Sequence, residues 1–247
     1  VEESQTFTAD VGPYAGWRRR DTALEVLTAA LAAHDRAVAA GGPAVLKASA
    51  KSRVTRSGGL VVKEALLSTA RRRLAALVAP NRFRAGYENA QRLVVRGVGT
   101  AAPVAFLRGR GRVVTFYEDL GVYPRLDHRV RDALHTGAWD RRRLREVVDA
   151  SADFVARLHR LGVWHGDLKA CNWLVEERGG HVAFRLVDTD RVRFLPAVDR
   201  ARRLRNVAQL AASIPRAVSR TDRLRWWRRY ARGTPLEGRE ARRAAAR

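Results

Sequence analysis

The sequence predicts an α+β protein of two lobes, the first rich in strands and the second rich in helices. Three observations carry this expectation. Short apolar runs separated by Gly turns fill residues 45–118. After Leu120-Gly121 the apolar period becomes helical. Within the helical half, residues 173–187 read as strand, Gly turn, strand. The expected division is an N-terminal extension with one helix at 1–44, a first lobe at 45–119, a second at 120–236 and a basic tail at 237–247.

Residues 1–20 carry Gly, Pro and Trp and read as an entry segment. Residues 21–40 have helical spacing with much alanine, an expected cap at Asp21 and a stop at Gly41-Gly42-Pro43. Strands at 45–49, 54–57 and 60–65, the last two joined by Gly58-Gly59, predict a meander. Residues 71–78 and 85–95 are helical, interrupted by Pro80-Asn81, and 104–107 with 113–118 make a further hairpin. In the second lobe an apolar stripe (Val147, Val148, Phe154, Val155, Leu158, Leu161) predicts a helix around 143–160. Residues 201–213 and 221–232 read as basic amphipathic helices, and the chain from Glu237 as a frayed end.

A chain of 247 residues with 46% hydrophobic content can bury a real core, in one unit or in two lobes sharing a cleft. The net charge of +23 rests almost wholly on arginine, because the lysines are Lys47, Lys51, Lys63 and Lys169. Such a field attracts anionic partners: phosphorylated glycans, acidic lipid surfaces or, in low salt, nucleic acid without specificity. The single cysteine, Cys171, excludes an intramolecular disulfide and fits a reducing compartment. No stretch has the apolar length of a membrane span and no signal-like region opens the sequence. The expectation is a cytoplasmic protein, peripheral at the inner face of the cell membrane.

The most informative run is HGDLKACN, from His165 to Asn172, followed at the end of an apolar stretch by Asp188-Thr189-Asp190. It reads as a phosphotransferase catalytic loop. Moving a phosphoryl group from ATP to a hydroxyl needs a carboxylate that takes the hydroxyl proton and ligands for the metal that holds the triphosphate. Asp167 supplies the first. Asn172 and Asp188 supply the second, since Mg2+ takes oxygen ligands and is completed by phosphate and water. The hairpin between them delivers Asp188 beside the loop, and together with the strand-then-helix order this is the plan of a protein-kinase-like fold.

On that plan Lys63, in VVKEA on the third strand of the meander, reaches the nucleotide phosphates as a point charge. Lys169, two residues after Asp167, meets charge that shifts during transfer. The segment 47–52 has small residues but no GxGxxG, so backbone amides would have to cradle phosphate there. Glu88 is the one acid in the helix 85–95 and so the candidate partner of Lys63, although Ala90 and Leu93 define a core face on which residue 86, a glycine, points inward. Phe116, Tyr117 and Glu118 are the expected hinge, holding adenine through their backbone.

Taken together, HGDLKACNWLV, LVDTD, VVKEA, RAGYENAQRLVVRGVGTAAPVAFL and NVAQLAASIPRAVSRTDRLRWWRRY resemble the bacterial lipopolysaccharide core kinases, the Kdo and heptose kinase family. The likeness spans residues 45–232. It implies transfer of the ATP γ-phosphate to a sugar hydroxyl of the lipopolysaccharide inner core or a related glycolipid, at the cytoplasmic face of the membrane. It carries the base role to Asp167, metal roles to Asn172 and Asp188 and phosphate binding to Lys63. DTD stands where many kinases have DFG, and no APE ending follows, which argues against a switchable activation segment.

A small-molecule kinase of the aminoglycoside type shares the HGD run, but its cationic acceptors call for an acidic site and acids are sparse after residue 199. A protein kinase and a catalytically silent pseudokinase are the other readings. Near the C-terminus Arg216, Arg220, Arg223, Arg225, Arg228 and Arg229 with Trp226 and Trp227 form either a membrane- or glycan-facing patch, or a packed helix with a solvated face.

Overall fold

A computed structural model describes residues 6–50, 52–67, 82–109 and 111–234. These divide into two compact units, one drawn from residues 1–94 and 101–120, the other from 95–100 and 121–247. The helix expected at 71–78, Lys51 and the tail from Glu237 lie outside the described residues.

The first unit is one antiparallel sheet with a helix on each face. Its elements are β1 (Thr6–Val11), β2 (Tyr14–Arg19), α1 (Leu24–Ala40), β3 (Val45–Ala48), β4 (Ser52–Ser57), β5 (Leu60–Leu66), α2 (Arg82–Val95), β6 (Pro103–Gly109) and β7 (Arg112–Glu118). The seven strands lie in the order β1-β2-β6-β7-β5-β4-β3. Strand alternation decides what each face carries. Val62 joins Leu27, Ala30 and Leu31 of α1 in one core cluster. Ala65, three residues on, joins Tyr87 of α2 with Phe106 and Val113 in another. Lys63 therefore shares the α2 face and Glu64 the α1 face.

The entry segment, for which no strands were expected from the sequence, contains the β1-β2 hairpin, which extends the sheet by pairing β2 with β6. Its alternation was hidden by Gly16 and by Arg18 and Arg19, whose guanidinium groups find partners in Thr22 O and Glu118. Asp21 does not cap α1 either. The helix begins after Ala23, which makes no side-chain cap bond, while the Asp21 carboxylate pairs with Arg19 at 2.6 Å.

Beneath the α1 face lies a buried polar cluster. Glu64, 1% exposed, accepts from Arg112 Nη1 at 2.9 Å, and Arg112 also pairs with Asp35 of α1 and donates to the Tyr14 hydroxyl at 2.6 Å. His34 Nε2 stands 3.5 Å from Glu64, and its Nδ1 is 2.8 Å from the Thr55 hydroxyl. Burial raises the Glu64 pKa, but the hydrogen bonds from His34 and Arg112 outweigh it and hold the carboxyl at about 2.

In the second unit α3 (Leu126–Thr136) and α4 (Arg141–Arg160) precede the short β8 (Val163–His165), the hairpin β9 (Trp173–Arg178) and β10 (His181–Leu186), β11 (Val192–Phe194), α5 (Arg200–Ser213) and α6 (Arg220–Arg232). Asp140, Asp199 and Ser219 cap α4, α5 and α6 by accepting from the backbone N–H three residues on. Trp173, fully buried, meets Phe154 of α4 and Phe184 of β10 edge-on at 5.1 and 5.4 Å.

The C-terminal arginine and tryptophan group divides between the two readings. Trp226 donates to Ser151 Oγ and stacks on Tyr230, so it packs the unit. Arg225 and Arg229 form two-pronged pairs with Asp149 and Asp153 of α4. Arg223 donates to four main-chain carbonyls that end α5 and begin α6. Arg216, Arg220, Arg228 and Trp227 remain exposed. Among the described residues no helix is long and apolar enough to cross a membrane.

Candidate active site

The run from His165 to Asn172 leaves β8 and passes through a single 3-10 turn, Ala170–Asn172, before entering β9. Two main-chain bonds stitch it to the segment bearing Asp188. At its start Gly166 N–H donates to Arg191 O at 2.9 Å, and at its end Val187 N–H donates to Asn172 O at 2.9 Å. The β8-β11 pairing, with His165 opposite Val192, reinforces the first stitch. Asp167, Asn172 and Asp188 are thereby brought together although sixteen residues separate Asn172 from Asp188.

Within the loop, Asp167 N–H donates to His165 Nδ1 at 3.1 Å, and Asn172 Nδ2 donates to Asp167 O at 2.8 Å. The Asp167 carboxylate is partly exposed and lies 2.9 Å from Lys169 Nζ. Burial opposes its ionisation, yet the hydrogen bond and charge of Lys169, with Arg191 behind, hold its pKa below the ordinary carboxylate value. Desolvation lowers the pKa of the buried His165 against the pull of the Val187 carbonyl and of Asp188, Asp167 and Asp190. The ring is thus neutral with Nδ1 as an acceptor, which fixes the proton on Nε2.

Asp188 has φ 59° and ψ 53°, the one positive φ outside glycine among the described residues. Left-handed backbone at a residue other than glycine costs about 1 kcal/mol, less for aspartate than for most side chains, and is held where the surroundings over-determine it. Here the β10 end, the stitch at Val187 and the 3-10 turn Thr189–Arg191 do so.

Helix α5 holds the loop from behind. Asn206 Nδ2 donates to His165 O at 2.6 Å, Gln209 Nε2 donates to Gly166 O at 2.9 Å, Leu168 N–H donates to Gln209 Oε1 at 3.0 Å and Ala170 N–H to Ser213 Oγ at 2.8 Å. Sequence reasoning missed these three side chains. Their signal was a polar stripe at helical spacing, 206, 209 and 213, on a helix whose other buried residues are Arg203 and Leu210.

In the first unit Lys63 is half-buried, with Nζ 5.4 Å from the Tyr117 ring centroid. Glu88 pairs at 2.7 Å with Arg84, one turn back on its own helix, while Gly86, Ala90 and Leu93 form the buried face. Phe116, Tyr117 and Glu118 lie inside β7, between β5 and β6, and Glu118 N–H donates to Ala102 O at 2.9 Å. Their main chain therefore serves the sheet, with Phe116 in the core. Turn 49–52 is closed by Ser49, whose hydroxyl accepts from Ser52 N–H at 3.1 Å.

A divalent metal fits the oxygen donors that Asn172 and Asp188 offer: an amide oxygen and a carboxylate, hard ligands that leave positions for phosphate and water. The Asn172 amide nitrogen is committed to Asp167 O, and its oxygen, which accepts from Cys171 Sγ at 3.7 Å, has a second lone pair for a cation. Among the described residues no group of three or more His, Cys, Asp or Glu could hold a metal alone.

A strand-rich unit carrying a strand lysine and a helical unit carrying an HGD loop define a phosphotransferase of the protein-kinase-like class. Solved structures share this fold, two of them as follows. WaaP in complex with acyl carrier protein is 24% identical, with a TM-score of 0.58 over 80% of this chain and 81% of that one. An aminoglycoside-3'-phosphotransferase of type VIII is 18% identical, with a TM-score of 0.51 over 81% and 90%. No curated protein sequence is similar enough to match. The chain belongs to the lipopolysaccharide kinase (Kdo/WaaP) family, whose profile matches residues 62–230, and is a kinase.

Proposed function

We propose that the chain transfers the γ-phosphate of ATP to a sugar hydroxyl of the lipopolysaccharide inner core or a related glycolipid, with Asp167 taking the hydroxyl proton. The observation that supports this reading is the double stitch between loop 166–172 and the Asp188 segment, which joins the stretches carrying Asp167, Asn172 and Asp188. The acceptor oxygen bonds to the γ-phosphorus as the bond to ADP breaks. Because Asp167 is held below its ordinary pKa it is a weak base, so it chiefly orients the hydroxyl and takes the proton late, as a loose transition state allows.

Lys63 neutralises nucleotide phosphate, and Lys169, paired with Asp167, adds positive charge next to the acceptor oxygen. Mg2+, held by Asn172 and Asp188, supplies charge neutralisation of the triphosphate when bound. Adenine is held through the main chain at Phe116, Tyr117 and Glu118, where β7 ends. Exposed Arg216, Arg220, Arg228 and Trp227 suit an anionic glycolipid and peripheral contact with an anionic membrane at its cytoplasmic face.

The test is Mg2+-dependent transfer from labelled ATP, wild type against Asp167→Asn, to phosphatase-treated lipopolysaccharide core, an aminoglycoside and a generic protein. Label on the glycan that disappears in the variant is the expected result. Label on the aminoglycoside or protein instead would replace the acceptor in this reading, and equal labelling by both enzymes would remove Asp167 from its role.

A further inference from the structure

Behind the catalytic loop a chain of side-chain hydrogen bonds runs on to the last helix. Tyr230 of α6 has its hydroxyl 2.8 Å from His159 Nδ1, and His159 Nε2 is 3.1 Å from Asn206 Oδ1. Asn206 in turn donates 2.6 Å to His165 O and 3.1 Å to Gln209 Oε1. The proton positions follow by elimination. Both amide hydrogens of Asn206 are spent on acceptors, so Oδ1 must accept and His159 Nε2 must carry the proton. Nδ1 then accepts from the Tyr230 hydroxyl. Gln209 accepts from Leu168 N–H and Asn206 and donates to Gly166 O, which fixes its own orientation.

Four side chains on three helices thus share one proton arrangement, and it ends on the peptide groups flanking Asp167. Tyr230, His159 and Asn206 are 3%, 2% and 1% exposed, so a broken link leaves a dry polar group without its partner. Apolar side chains would join the three helices as firmly. What they could not do is hold the His165 and Gly166 carbonyls and the Leu168 N–H in register. Burial pushes His159 down to about 4, against the Asn206 bond and with the help of Arg203, so the ring stays neutral near pH 7.

We propose that Tyr230, His159, Asn206 and Gln209 are positioning residues that set the backbone of residues 165–168, and through it the aim of Asp167. This rests on Asp167 being the proton acceptor. It gives the Tyr that ends the α6 run TDRLRWWRRY a role in turnover although its hydroxyl meets His159 rather than the loop, and its ring stacks on Trp226 and meets Trp227 at a tilt.

The experiment compares Tyr230→Phe, which keeps the ring stacked on Trp226, with Gln209→Leu. Amide hydrogen exchange over residues 165–170 is measured beside turnover on phosphatase-treated lipopolysaccharide core, with rates normalised to ATP-binding sites counted by calorimetry. Exchange in the loop rises at least ~10-fold in both variants while the β9-β10 hairpin keeps its protection. The kcat per binding site falls ~10-fold in Tyr230→Phe and ~100-fold in Gln209→Leu, with ATP affinity within about twofold of wild type, the scale expected of a misplaced reacting group. Unchanged loop exchange and unchanged kcat in folded Tyr230→Phe would overturn the proposal. So would a loss of activity that disappears on normalisation, because that reports fewer folded molecules. Full activity in Asp167→Asn would instead remove the base from its role, while the exchange data would still judge the chain.

Discussion

Asn172 ties Asp167 to Asp188: its side-chain amide donates to the Asp167 carbonyl at 2.8 Å while its own main-chain carbonyl accepts from Val187 N–H at 2.9 Å. One residue thus sets both the loop that carries the proposed proton acceptor, Asp167, and the approach of Asp188, the second proposed metal ligand.

Removing that tie should damage two functions together. Asn172→Ala is expected to lower kcat about 100-fold or more and to raise the Mg2+ concentration giving half-maximal rate. Asn172→Asp keeps an oxygen donor but loses the N–H to Asp167, so it should retain more of the Mg2+ response than of the rate. Initial velocities against Mg2+ concentration separate the two.

Lys169 should govern the acid limb of activity. The Asp167 pKa is depressed, so its carboxylate is charged above the ordinary value of about 4 and loses charge only as pH falls through a lower value. Lys169→Ala removes the 2.9 Å partner, and the acid limb of kcat should move upward toward ordinary carboxylate pH. A pH profile whose acid limb stays in place would show that another group limits it.

Glu64 should dominate the acid sensitivity of the first unit. Its pKa falls from 4.5 to about 2 on folding. A depressed carboxylate stabilises the fold fully above the unfolded value, and that contribution fades as pH drops from 4.5 toward 2. Glu64→Gln should cost about 3 kcal/mol at pH 7, because Arg112 and His34 lose a buried partner, lowering the melting temperature by roughly 10 °C. Thermal denaturation of the variant should show a shallower decline over the same acid range.

Gly162 should tolerate no side chain. Its φ is 70°, and a Cβ there would lie 2.0 Å from Leu195 O, whose own N–H donates to Gly162 O at 2.8 Å. Gly162→Ala must push β11 away from β8 and is expected to cost about 2 kcal/mol or more. Because β11 follows the Asp188 segment, kcat should fall at temperatures well below the shifted melting point, which enzyme assays at 15 °C would reveal.

The parts of the site legible in the sequence were those whose chemistry is written in local spacing. Asp167, Lys169 and Asn172 sit on one loop, the Gly179-Gly180 turn announces the hairpin to Asp188, and Lys63 stands out among few lysines on a patterned strand. Glu88 followed from its being the one acid in its helix. That argument weighs residue type alone, and the side chain is engaged by Arg84 a turn away. The adenine-contact window 116–118 followed from the end of an apolar run, whereas ladder pairing continues through Glu118.

By itself the sequence determined the α+β order, the meander, the HGD loop and the kinase chemistry, because each rests on neighbours within one loop or hairpin. Only the tertiary structure decided that residues 6–19 complete the sheet, that Glu64 meets His34 and Arg112 beneath α1, and that Asn206, Gln209 and Ser213 grip the catalytic loop. It also decided that Arg225 and Arg229, though exposed, pair with Asp149 and Asp153. The physical reason is common to all of these. A polar side chain carries the same letter whether it meets water or a buried peptide group 40 residues away, and only the folded packing supplies the partner.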